Sequence, residues 1–412
     1  MHLNFLKNPN LHAWPVYGLC AFLPLSIAGT SIFKLLTILA ALAALIVALI
    51  KGRQLMGLRT APTVLALCML GALSASLTYT SVSITEALSV LTKYGKLLLI
   101  PAIAVLVRSR AQAVTALRVY FFTQSFVVLT SWLLFAGLSL PWVPTQRCAV
   151  AVVYSCYLDQ AILTAGFATL AWHLRADFPT RYGPICALVL AALAALNLLF
   201  ALPGRTGQIC LFGAVAVGVW WSMPRKLRPL AVLAPFAAFT LAMLLSTQFN
   251  QRYMAVFLEV KAYQNQTQSY KDSSSFERLN YWKKSLHAIA EKPLLGFGVG
   301  AWQQQYWRLE SSAPTKSTAS VRNPHQEFLF WGVQLGAVGV LLLAAWLGSF
   351  WWTSRHFAPP VMRATVSLLV VFAVACALNS ALYDGLVGDY FCALLAVLLV
   401  LGRHSPPMAS QA

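Results

Sequence analysis

The chain has 412 residues, of which 59% are hydrophobic and only 10% charged, where soluble domains run at roughly 45–50% and 25%. No single core of this length hides so much apolar surface from water, which excludes a soluble globular protein and leaves lipid as the solvent. The net charge of +19 does not point to nucleic acid, because most Lys and Arg fall in short clusters between apolar runs, as membrane loops do.

Apolar runs such as residues 35–50 and 187–202 do not alternate with polar residues, so the spans are helices rather than barrel strands. About twelve transmembrane helices are expected, at 13–30, 32–50, 61–79, 88–107, 114–138, 149–172, 183–202, 208–223, 230–247, 326–352, 364–383 and 389–402. The first run lacks a small-residue cleavage site and reads as a retained span. With the long segment 248–325 left out, since long loops cross largely regardless of charge, fifteen Lys and Arg fall in connections on one side, from Lys7 and Arg53 to Arg403, against five in short connections on the other: Lys34, Lys93, Lys96, Arg147 and Arg205. That bias puts both termini in the cytoplasm and the long segment on the outer side. The expectation is an all-α polytopic membrane protein, one integral membrane domain over 1–412. A helical periplasmic segment, 248–325, is inserted between the ninth and tenth helices. Eight cysteines are scattered without a Cys-x-x-Cys pair, mostly inside apolar runs, so neither a disulfide framework nor a metal cluster is expected.

The outer segment opens on a polar stretch, 261–270. Phe276, Leu279, Trp282, Leu286 and Ile289 then recur at helical steps, an amphipathic helix. Pro293 and the glycines Gly296, Gly298 and Gly300 end it. The Trp- and Tyr-rich piece at 302–309 suits a membrane interface. No internal repeat occurs, so the paired halves of many transporters have no support.

Ionisable residues in or beside spans are costly and raise a functional hypothesis. Lys34, near a span end, reads as snorkelling or paired. Lys93 and Lys96 share one helix face, where binding and snorkelling are equal readings. Arg147, Arg205 and Arg278 all lie on the side that positive charge avoids. Converging, their planar donor forks would receive a pyrophosphate. The alternative is that each pairs with an outward carboxylate such as Glu277, Asp384 or Asp389. His325 lies where the outer segment re-enters the membrane. Asn323 reads as the N-cap, Pro324 as the first helical residue and Gln326 as the capping-box partner. His325 would then sit in the first turn, at the positive end of the dipole. A neutral imidazole there can take a proton from a sugar hydroxyl; the plain alternative is a structural His capping loop carbonyls. No acidic pair stands two residues apart, Gly296–Gly300 is not followed by Lys or Ser/Thr, and no Gly-x-Ser-x-Gly elbow occurs. No metal site and no cofactor are expected.

The block Glu277-Arg278-Leu279-Asn280-Tyr281-Trp282, the run from Glu291 to Gly298, and Asn323-Pro324-His325-Gln326-Glu327 together resemble the bacterial O-antigen ligase and polymerase superfamily. Gly204-Arg205-Thr206-Gly207 is similar to the family's Arg-Thr/Ser-Gly turn. Arg147-Cys148-Ala149 is a looser match, with Ala149 in place of a glycine. The resemblance implies a membrane glycosyltransferase of the multi-spanning C type. Its donor would be O-antigen on undecaprenyl pyrophosphate and its acceptor lipid A–core, with membrane lipids around it and no nucleic acid. The implied reaction of the ligase branch is a metal-independent, inverting transfer on the periplasmic face. Arg205 and Arg278 would act in catalysis with His325, and Arg147, Lys93 and Lys96 would join the arginines on the pyrophosphate. The alternatives are the O-antigen polymerase and, from another class, a transporter of lipid-linked sugar.

Overall fold

A computed structural model describes residues 12–52, 56–177, 180–265, 270, 273–310 and 321–404. Lys7 and Arg53, two of the charges that oriented the chain, lie outside these residues. Among the described residues the chain is all helical, and nine helices are long and apolar enough to cross a membrane. The order is α1 (Trp14–Phe22), α2 (Ile27–Ile50), α3 (Ala61–Ala75), α4 (Ile84–Tyr94), α5 (Leu99–Leu106), α6 (Arg110–Phe135), α7 (Tyr157–His173) and α8 (Gly183–Phe200). It continues with α9 (Arg205–Ser222), α10 (Leu233–Leu245), α11 (Thr247–Gln264), α12 (Ser274–Glu291), α13 (Trp302–Arg308), α14 (Glu327–Ser354), α15 (Pro359–Leu378) and α16 (Gly385–Arg403).

Three of the expected spans differ from those nine. At 13–30 the chain forms only the nine-residue α1, about 14 Å long, which does not cross a hydrocarbon layer of about 30 Å. Leu23–Ser26 then turns the chain, and Ser26 caps α2 by accepting the Gly29 N–H. The expected span at 149–172 begins only at Tyr157, because 149–156 is irregular. α7 has 17 residues and α9 opens on the polar Arg205 and Gln208; both are central, packed on each other and on α15. α16 is the axis of the bundle, with Leu386–Gly402 buried throughout.

Close packing at the start of α9 depends on glycine. A Cβ on Gly207 would stand 2.5 Å from Ala161 Cβ and 2.6 Å from its carbonyl carbon, so only glycine lets α9 lie this near α7. The Arg-Thr-Gly turn is thereby a packing device that presents Arg205.

The described part of the segment 248–325 folds onto this end of the bundle. α11 already covers the first part of the polar stretch at 261–270, while 266–269 lies outside the described residues. α12 ends at Glu291, before Pro293. Its buried face is Tyr281, Ser285 and Ala288, and Leu286 of the expected apolar stripe is 58% exposed. Trp302 and Tyr306 are buried against Tyr281 rather than placed at a membrane surface. Aromatic area here builds the core of that segment.

The glycine run that follows Pro293 repairs a break in α14. Gly336 takes φ +61° and interrupts that helix, freeing the carbonyls one turn earlier. Phe297 and Gly298 donate their N–H groups to Val333 O and Gln334 O, both at 2.9 Å, and Ala337 N–H donates to Pro293 O at 2.7 Å. Buried backbone groups need such partners.

Candidate active site

His325 does not sit in a first helical turn. The helix starts two residues later, with Gln326 as its N-cap, and Gln326 Oε1 accepts the Leu329 N–H at 2.5 Å. Asn323 is therefore not the cap; its Oδ1 accepts the His325 N–H at 3.0 Å and closes a local turn. His325 itself adopts φ +51°, the left-handed region that non-glycine residues rarely occupy. Pro324 is held from the other side, its carbonyl accepting Trp282 Nε1–H at 3.1 Å.

Asn379 decides what the imidazole can do. It lies at the end of α15, buried, and its Oδ1 stands 2.9 Å from His325 Nδ1. An amide oxygen only accepts, so Nδ1 carries the proton and donates it, leaving the Nε2 lone pair unprotonated. Burial pushes the imidazole pKa down; the Asn379 hydrogen bond and Asp384 raise it, and Arg278 lowers it again. The net shift is downward, so the ring is neutral at pH 7. The Tyr281 ring lies 6.3 Å away, centroid to centroid.

Arg278, one turn before Trp282 on α12, donates through Nη1 to Leu378 O at 3.2 Å, next to Asn379. Its pKa is lowered first by burial and then by Arg205, so the two guanidinium groups feel each other. Arg205 opens α9, with Nη1 3.4 Å from Ser275 Oγ and 3.7 Å from Glu259 Oε2. A third guanidinium, Arg252 on α11, donates to Pro203 O and is lowered by burial and again by Arg205. Three cations thus share one neighbourhood, tempered by Glu259 and Glu277. Arg205 finds its carboxylate in Glu259 rather than in Glu277, Asp384 or Asp389.

The remaining candidates are placed differently. Arg147 is exposed and donates to Val150 O at 3.0 Å within its own loop. The following helix begins with Tyr157, which acts on both Arg252 and Arg278. Lys93 is exposed, with Nζ 4.1 Å above the Tyr383 ring. Lys96 is buried and donates to the Asp384 and Gly385 carbonyls, so it fastens the turn before α16. Lys34 pairs with buried Asp389 at 2.7 Å, the second of the two states expected of it.

Arg252 and Asn379 were not among the sequence candidates. Arg252 belongs to the long segment omitted from the charge comparison. Asn379-Ser380 is a polar interruption between two apolar runs, a signal that was present.

Glu327 holds the turn that carries Asn379. It is fully buried, and Oε1 accepts from Tyr94 Oη and Trp331 Nε1, each at 3.0 Å. Oε2 accepts the N–H groups of Leu382 and Tyr383 at 2.9 and 3.1 Å. One carboxylate thereby ties α4, α14 and the α15–α16 turn together.

Among the described residues no group of three or more His, Cys, Asp or Glu side chains is placed to hold a metal ion. An apolar cleft of about 430 Å³ lies at the other end of α7 and α9, lined by Ala168, Trp172, Leu211 and Val215. It is separate from the basic cluster.

Fold and site together define a polytopic helical membrane protein with a neutral histidine beside an arginine cluster at one end of the bundle. Residues 189–344 match the family model described as O-antigen ligase, and this match supports placing the chain in the O-antigen ligase superfamily. Arg205, Arg252, Arg278 and His325 all lie within the matched residues. No curated protein matched the chain.

Proposed function

We propose that the protein is an O-antigen ligase. It transfers O-antigen from undecaprenyl pyrophosphate to a core-sugar hydroxyl of lipid A–core on the periplasmic face of the inner membrane. The observation that carries this reading is the pairing of His325 Nδ1–H with Asn379, which leaves Nε2 as a free base near Arg278, the first of three neighbouring guanidinium groups.

The acceptor hydroxyl gives its proton to His325 Nε2 while its oxygen attacks the anomeric carbon. The bond from that carbon to the pyrophosphate oxygen breaks on the opposite face, which inverts the centre. Undecaprenyl pyrophosphate leaves with the bonding electrons, and the imidazolium returns its proton to water. Arg205 and Arg278, with Arg252 behind them, meet the charge that develops on the leaving group. Lys93 and Arg147 stand at the margin and act on the donor's approach. Lys96 serves the site by holding the α16 turn. Guanidinium charge supplies what a divalent cation supplies in other transferases, so the reaction is proposed to be metal-independent.

Deleting the gene tests ligase against polymerase. Bare lipid A–core together with polymeric lipid-linked O-antigen is the expected result. Core bearing a single repeat unit would instead identify a polymerase, and unchanged lipopolysaccharide would reject both.

A further inference from the structure

The eight cysteines are scattered along the chain, yet the fold brings two of them together. Cys148 Sγ and Cys156 Sγ stand 3.5 Å apart in the connection between α6 and α7, and both residues are exposed. Cys148 Sγ also accepts the Tyr157 N–H at 3.2 Å, which fixes the sulfur at the start of α7. The segment between them is anchored independently. Gln160 accepts the Val153 N–H at 2.8 Å and donates to Ala151 O at 3.2 Å, and Ser131 Oγ donates to the same carbonyl at 2.6 Å. The two thiols therefore face each other at the ends of a loop whose middle is held in place.

We infer that Cys148 and Cys156 form a disulfide in the working protein, a covalent staple at the edge of the active site. The inference rests on the outward orientation proposed above, since that compartment is oxidising and exposed thiol pairs there do not stay reduced. The oxidant is a small-molecule or protein disulfide. One cysteine thiolate attacks it, forms a mixed disulfide and releases one thiol; the second cysteine then displaces the other. Two electrons pass to the oxidant's sulfurs, and the two protons lost by the cysteines end on the two released thiols. The ring so closed, residues 148–156, has Arg147 on one flank and Tyr157 on the other. Arg147 already reaches into it through Val150 O. The staple holds Arg147 against the start of α7, where Tyr157 faces Arg252 and Arg278.

The test is peptide mapping of protein purified without reductant, with free thiols alkylated first. No Lys or Arg lies between the two cysteines, so trypsin yields both on one peptide. The expected peptide is unalkylated and lighter by two hydrogens than its reduced form. In Cys148→Ser and in Cys156→Ser the remaining thiol should alkylate without reduction; a remaining thiol that stays blocked would overturn the pairing. After reduction, a membrane-impermeant maleimide added to intact spheroplasts should label both. Alkylation of both thiols before reduction, with labelling from outside, would overturn the disulfide and leave the orientation standing. Failure to label from outside after reduction, in protein that labels once detergent-solubilised, would overturn the orientation and the disulfide with it.

Discussion

His325 is defined by its partner. Asn379 sets which nitrogen holds the proton, and burial keeps the imidazole pKa below its ordinary value of about 6.5. A base acts only when deprotonated, so lowering its pKa extends activity toward acid. The transfer rate is expected to be flat above neutral pH and to reach half its plateau only at a pH below 6.5. Asn379→Asp replaces the amide with a carboxylate, which favours the imidazolium. Its acid limb should move up toward neutral pH, and an unmoved pH–rate profile would remove Asn379 from the mechanism. The arginines are tested by changing shape at constant charge. Arg205→Lys and Arg278→Lys lose the planar fork and with it charge-assisted bonds worth about 1.5–3 kcal/mol. Each should slow transfer at least about tenfold. Normal donor binding and rate in both variants would reject the pyrophosphate assignment.

The helices differ in how far the sequence disclosed them. Long apolar runs were legible because lipid forces about 20 consecutive apolar residues on any spanning helix. The breaks were less legible, because tertiary hydrogen bonds set them. α14 is interrupted at Gly336 since the turn after Pro293 takes the freed carbonyls, whereas α1 stops at Phe22 just before Pro24 and the Ser26 cap, a local signal that was present. His325, Arg205 and Arg278 could be named from local motifs. Arg252 and Asn379 could not be joined to them, because that junction depends on α11 and α15 reaching the same end of the bundle. Two substitutions test the elements. Gly207→Val sets new atoms against the Ala161 backbone and should cost about 1–3 kcal/mol of overpacking, read as a lower melting temperature in detergent. Glu327→Ala strands the donors of Tyr94, Trp331, Leu382 and Tyr383, at about 1–3 kcal/mol for each buried group left unpaired. It should reduce folded yield more than Gly207→Val does; wild-type yield and melting would show that the carboxylate is not the tie described.

For the whole molecule the claim is that a helical bundle in lipid performs a group transfer with a histidine and arginines. The segment between α10 and α14 contributes Arg252, Arg278 and His325, while the bundle contributes Arg205 and Asn379. The site exists only where the two meet. The most direct measurement is transfer by the purified full chain in liposomes, from undecaprenyl-pyrophosphate-linked O-antigen to lipid A–core, with excess EDTA present. The wild type should form O-antigen-bearing lipid A–core under these conditions. His325→Ala, inserted and folded as the wild type, should be slower by about 10²–10⁴-fold. Wild-type turnover by His325→Ala, or activity that EDTA removes and Mg²⁺ or Mn²⁺ alone restores, would contradict the account.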